Sequence, residues 1–177
     1  KMDEEQDETS LIDINKHTSE YALSKLVSEA NLRQQYENGF NSVTILRFGI
    51  IYGSRKNNWS AVESIFNTVK NSDEVTVGSL KNGRRFIHVS DISDGIIKAI
   101  GLKGFHVINL SGEEIITMHD IIETSQKILG KTVKIIENNA STINIRNPSN
   151  NKAKTLLNWK PKILFSEGLK SLKDYLG

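Results

Sequence analysis

Tyr21 and Lys25 stand one helical turn apart in the stretch Glu20-Tyr21-Ala22-Leu23-Ser24-Lys25, and that spacing puts both side chains on one face of a helix. The pair has a definite chemical capacity. An ammonium held beside a phenol favours the phenolate, so the tyrosine can take or give a proton while a nearby nicotinamide takes or gives a hydride. The same spacing also arises as an ordinary surface pair, so it needs support from the rest of the chain. Cysteine is absent, which excludes disulfides, thiolate catalysis and cysteine-ligated zinc. The four histidines show no metal-ligand spacing, and no metal is expected.

The Tyr-Lys pair needs a helix to carry it and a sheet to set that helix against. Thr18 or Ser19 is suited to cap a helix over residues 20–37, whose apolar stripe would be Ala22, Leu23, Leu26, Val27 and Ala30. Asn38-Gly39 ends it as a left-handed cap requires. Val43 to Phe48 is a β-branched, apolar run that reads as a strand buried on both faces, as in a parallel sheet.

Further helices are expected at 60–71, after a Ser90 cap, at 118–129 closed by Gly130, at 151–157 and at 166–176. Strands are expected at 74–77, 84–89, 105–110, 115–117 and 133–136. The polar segments 3–8 and 138–151 read as loops, the first simply solvated. His88 reads as a packed or hydrogen-bonded residue, Trp59 and Trp159 as packing residues, and Asp91 as a carboxylate at a helix start. Strands alternating with helices make the fold class α/β.

Bulk properties narrow the functional classes. The chain has 177 residues, 37% hydrophobic and 25% charged, with a formal net charge of +2. These are values of an ordinary globular protein, with no concentrated basic face for nucleic acid or a membrane surface. No apolar run approaches the roughly 20 residues of a membrane span, and a cytoplasmic protein is expected. The sequence opens on Lys1 with Met2 followed by Asp3-Glu4-Glu5, which suggests that it begins partway through a protein.

Five blocks, in order, resemble the extended short-chain dehydrogenases of the NAD-dependent epimerase/dehydratase type. Thr18 to Glu29 is similar to the catalytic helix with its Tyr-(Gly/Ala)-x-Ser-Lys context and following glutamate. Leu46-Arg47-Phe48-Gly49-Ile50-Ile51-Tyr52-Gly53 resembles the Arg-x-x-Asn-x-Tyr-Gly strand and loop. Arg84 to Ile92 resembles the Arg-Asp-Phe segment, and Val107 to Gly112 the strand ending in a Ser/Gly turn. Asn151 to Pro161 is similar to the Ser/Thr-Lys-Ala-x-x-x-Leu-Gly-Trp-x-Pro signature.

That resemblance implies the C-terminal part of a Rossmann-like doubly wound parallel sheet plus a small α/β substrate-binding portion. Residues 1–103 would be the second half of the NAD(P)-binding domain, and 104–177 mainly the substrate-binding portion. Tyr21 would be the acid/base, and Lys25 would hold the nicotinamide ribose and tune Tyr21. Backbone near Phe48 would face the nicotinamide of NAD or NADP. Arg84 and Arg146 would grip a nucleotide diphosphate, a role suited to the guanidinium fork. The substrate would be a small molecule, a nucleotide sugar in the sugar-nucleotide members, and helix 20–37 would serve a homodimer.

Two departures qualify the implied function. No strand leads into a glycine-rich phosphate turn. In the family that turn, and the serine or threonine that completes the catalytic group, precede the tyrosine helix, so they would lie upstream of Lys1 and this chain alone would be inactive. Ile50 stands where the family has a substrate-binding asparagine, and Arg85 where it has aspartate. Ile50 favours a rival reading, a reductase of a non-nucleotide carbonyl compound. A second rival is a non-catalytic remnant or interaction module with an exposed sheet edge.

Overall fold

The computed structural model describes residues 4–16, 19–57 and 59–176. After a short 3-10 turn at Ile14–Lys16 come α1 (Glu20–Glu37), β1 (Ser42–Phe48), β2 (Ile50–Tyr52), α2 (Ala61–Asn71) and β3 (Glu74–Val77). Next are β4 (Gly83–Arg84), β5 (Phe86–His88), α3 (Val89–Ala99), β6 (Gly104–Leu110), β7 (Ile116–Thr117) and α4 (Met118–Leu129). The chain ends with β8 (Lys134–Glu137), β9 (Ile145–Arg146), α5 (Asn151–Leu157) and α6 (Phe165–Leu176).

Parallel pairing dominates. β1 runs beside β6 from Ser42↔Gly104 to Phe48↔Leu110, β2 beside β5, and β3 beside β8. β4 sits between antiparallel β7 and parallel β9. Parallel neighbours need long crossovers, here supplied by helices. The α/β class read from the sequence is the fold observed.

Local chemistry sets the element ends. Ser60 and Glu63 form a reciprocal capping box on α2, as Thr117 and Asp120 do on α4. Gly130 closes α4 at φ 64°, a left-handed conformation that suits glycine. Two buried clusters result. One joins Val62, Phe66 and Val69 of α2 to Ile121 and Ile122 of α4 and Leu169 and Leu172 of α6. The other gathers Ile87, Ile92, Ile108, Leu110 and Ala153 around Trp159.

Several expectations change. The Ala22–Ala30 stripe of α1 is not sunk into a core: α1 has no buried residue, and Val27 is 68% exposed. β1 is therefore half-buried rather than buried on both faces, since α1 lies over it without sealing it. Ser19 occupies the cap position of α1 without a side-chain cap bond, and Thr18 lies outside the described residues. The cap of α3 is His88, not Ser90: its Nδ1 accepts the Ser90 amide at 3.3 Å. Trp159 is buried as expected, whereas Trp59 stays 37% exposed, with Nε1 donating to the Arg55 carbonyl.

Neither polar segment is a simple loop. Segment 138–151 contains β9 and three buried polar residues, Asn147, Ser149 and Asn150. Asn150 accepts the Ser111 amide at 2.9 Å and donates to the Ser111 carbonyl at 2.8 Å, fixing the segment to the end of β6. Residues 4–10 form a strap. Gln6 makes a parallel bridge with Pro148, and Glu8 accepts the Asn109 amide at 2.6 Å.

Candidate active site

Tyr21, Lys25 and Glu29 follow one another at single-turn intervals on α1, and all three line a groove of about 660 Å³. Lys25 places Nζ 5.2 Å from the centre of the Tyr21 ring. Glu29 anchors this face to the sheet. Its two carboxylate oxygens accept from Arg47 Nε and Nη2 at 2.9 and 2.6 Å, a bidentate fork. The hydrogen bond to Glu29 outweighs the lowering effect of burial and raises the Arg47 pKa above its ordinary value. The fork thus fixes how far Tyr21 and Lys25 stand from the end of β1.

The opposite wall of the groove is Phe48, Gly49 and Ile51, where β1 gives way to β2. Phe48 is 44% exposed and Tyr21 72% exposed, so a flat aromatic group has open surface on both sides. Gly49 allows a close approach: a Cβ there would lie 2.6 Å from the Arg85 carbonyl oxygen. The groove therefore adjoins the arginine-bearing segment 84–85.

Arg55, a groove residue that the sequence reading missed, has no motif to announce it. It is held by a carboxylate with a clearer signal, the Ser60-x-x-Glu63 capping box. Glu63 is 1% exposed, accepts the Gly53 amide at 3.0 Å and the Ser60 amide at 2.8 Å, and lies 3.1 Å from Arg55 Nε. Arg55 Nη2 also donates to the Ile51 carbonyl at 3.0 Å.

Arg84 and Arg146 meet elsewhere, as direct register partners on β4 and β9. Arg84 Nη1 donates to the carbonyls of Gly83 and Asn144 at 2.7 and 2.5 Å. Burial, and then the neighbouring Arg146 charge, lower the Arg84 pKa. Among the described residues neither guanidinium has a carboxylate partner. Like charges paired directly across strands repel, so this is a place that an anion would stabilise. The structure thus gathers Tyr21, Lys25 and Phe48 in one groove and Arg84 and Arg146 in a second constellation.

His88 and Asp91 belong to a third region, a cavity of about 250 Å³ between β5 and residues 160–165. Tyr52 lines this cavity while Ile51 lines the groove, since successive residues of a strand point to opposite faces. His88 stacks edge-on against Tyr52 at 5.4 Å, and Asp91 accepts the Lys162 and Ile163 amides at 3.0 and 3.1 Å. His88 is packed and hydrogen-bonded, and Asp91 lies in the first turn of α3, the placements expected from the sequence. On α4, His119, Asp120 and Glu123 bring potential ligand atoms within 4.8 Å of one another. Asp120 is already engaged in capping α4, and Glu123 in an ion pair with Lys127.

Parallel strands linked by helices, with a groove at the end of β1, define a Rossmann-like α/β protein. The sequence model of the NAD dependent epimerase/dehydratase family matches residues 1–111, and the chain belongs to that family. The UDP-glucuronate 4-epimerase of Thermodesulfobacterium geofontis (strain OPF15) is 27% identical over 157 residues, covering 86% of this chain and 48% of that protein. UDP-glucuronic acid decarboxylase 3 of Arabidopsis thaliana is 27% identical over 161 residues, covering 87% and 46%.

Solved structures agree on the fold. MoeE5 in complex with UDP-glucose and NAD superposes with a TM-score of 0.84 at 18% identity, covering 97% of this chain and 58% of its own. The UDP-glucuronic acid 4-epimerase of Bacillus cereus, in complex with UDP-glucuronic acid and NAD, gives 0.78 at 24% identity, covering 99% and 58%. The chain spans about half the length of the curated relatives it matches. No helix among the described residues is long and apolar enough to cross a membrane.

Proposed function

We propose that this chain is the catalytic-helix and substrate-binding part of an NAD(P)-dependent enzyme that epimerises, decarboxylates or dehydrates a nucleotide sugar. The observation that carries the nucleotide reading is the uncompensated Arg84–Arg146 pair, whose spacing across two strands suits the oxygens of a diphosphate. Relatives and structural neighbours that act on or hold UDP-sugars support it.

The groove residues fit NAD or NADP: a lysine with three donors for ribose hydroxyls and exposed phenol and phenyl rings for a flat nicotinamide. The cofactor would supply a place for hydride to go and return from. Tyr21 takes the proton of a sugar hydroxyl as that carbon is oxidised to a ketone, and gives it back when the ketone is reduced. Lys25 stabilises the phenolate that is present before the proton is taken and again after it is returned. Glu29 and Arg47 keep both at a fixed height above β1. Arg84 and Arg146 hold the diphosphate, so that the sugar reaches the groove past Gly49.

Within this reading, residues 1–103 complete a cofactor-binding domain whose other half lies in the remainder of the protein. Residues 104–177 mainly build the substrate side. The isolated chain, with half a cofactor site, has no turnover. One residue favours a carbonyl reductase instead: Ile50, 38% exposed beside Phe86, offers no amide to a nucleotide.

Titrating UDP into the chain by calorimetry decides between the two. The nucleotide reading expects saturable binding that weakens with salt and falls about ten-fold or more in Arg84→Ala, the loss of one charged hydrogen-bonding partner. No binding by the wild-type chain would favour the reductase.

A further inference from the structure

Arg85 follows Arg84 directly in the chain but does different work, and we propose that it is the positioning residue of the Arg84–Arg146 site. This rests on the diphosphate reading of that pair. Arg85 stands where the resembled family carries aspartate, so the contacts described here belong to this chain.

Its side chain is only 13% exposed and is committed at two points. Nε donates to Asn147 Oδ1 at 2.6 Å, and Nη2 meets Glu5 Oε1 at 3.3 Å. Asn147 directly follows Arg146. β9, which carries Arg146, is only two residues long, and its ladder to β4 is too short to hold two like charges side by side. Additional ties are needed, and they converge on residue 147. Arg85 grips the Asn147 side chain, while the strap grips its backbone: the Gln6 amide donates to the Asn147 carbonyl at 2.8 Å, and the Ser149 amide to the Gln6 carbonyl at 2.7 Å.

The charges divide the same way. Of the three arginines, Arg85 alone has a carboxylate partner among the described residues, Glu5 on the strap. Its charge is neutralised locally, and its fork is used up in bridging strap and β9. Arg84 and Arg146 keep their charge for a ligand. Arg85 therefore acts on a diphosphate through Asn147 and Arg146, without touching it.

This assignment makes a prediction opposite in sign to simple electrostatics. Removing a carboxylate near an anion site should strengthen anion binding if charge alone matters. If Glu5 and Arg85 hold Arg146 in place, Glu5→Gln weakens UDP binding instead. Glu5 is partly exposed, so this variant should fold normally, and its thermal unfolding monitors that. Calorimetry with UDP is expected to show a several-fold loss for Glu5→Gln and about a ten-fold loss for Arg85→Leu. Arg85→Lys, which keeps the charge but cannot bridge both partners, should resemble Arg85→Leu.

Tighter or unchanged binding in Glu5→Gln, or full affinity in Arg85→Lys, overturns the positioning role while leaving the diphosphate reading standing. No UDP binding by the wild-type chain overturns both.

Discussion

At the scale of single residues, key side chains of the groove are each held by another. Tyr21 and Lys25 draw their position from the Glu29–Arg47 fork, and Arg55 draws its position from buried Glu63. His88 shows the same economy, capping α3 through Nδ1 while its ring packs on Tyr52. Burial lowers the His88 pKa below its ordinary 6.5, against a smaller opposing pull from Asp91. The unfolded chain then takes up this proton more readily than the folded one. The His88 contribution to stability is complete above about pH 6.5 and is lost as the pH falls from there toward the folded value. His88→Asn keeps a capping acceptor without the titration, so its unfolding free energy, measured by denaturant titration, should vary less with pH below about 6.5 than that of the wild type.

At the scale of elements, legibility followed the physics of each signal. Helix α1 was readable to its ends because periodicity and Asn38-Gly39 are local properties. Its burial was not, because an apolar stripe such as Ala22 to Ala30 says nothing about what lies against it. Segment 138–151 read as a loop since β9 is only two residues long, and no periodicity can appear in two residues. The strap was hidden for a related reason: Glu5, Gln6 and Glu8 have partners about 80 to 140 residues away, which composition cannot reveal. Tyr21, Lys25, Phe48, Arg84 and Arg146 were named from motif resemblance, whereas Arg55 was missed and Arg85 was noted only as a departure.

The loop between β2 and α2 offers a separate test at this scale. Glu63 holds the Gly53 and Ser60 amides and Arg55 from a fully buried position. Glu63→Ala leaves those donors without their acceptor, and should cost about 2–3 kcal/mol in equilibrium unfolding. Glu63→Gln should cost less, since one acceptor oxygen remains. Equal losses would show that the ion pair, not the amide contacts, carries the loop.

For the whole molecule, the groove between α1 and the end of β1 stays open to solvent. Tyr21 and Val27 stand exposed on α1, and β1 has β6 as its one paired neighbour among the described residues. Proton transfer coupled to hydride movement needs a site from which bulk water is largely excluded. A chain spanning half of its curated relatives would, on the reading proposed above, gain a cover over this groove from the rest of the protein. The whole protein, not this chain, is then the unit in which the tyrosine works.

The most direct test uses that whole protein with Tyr21→Phe, incubated with NAD and a UDP-sugar such as UDP-glucuronic acid. Product formation and UDP affinity are measured side by side with the wild type. The account predicts unchanged UDP affinity with turnover reduced by about a hundred-fold or more, the scale of a lost general acid–base group. Turnover near that of the wild type in Tyr21→Phe would contradict it.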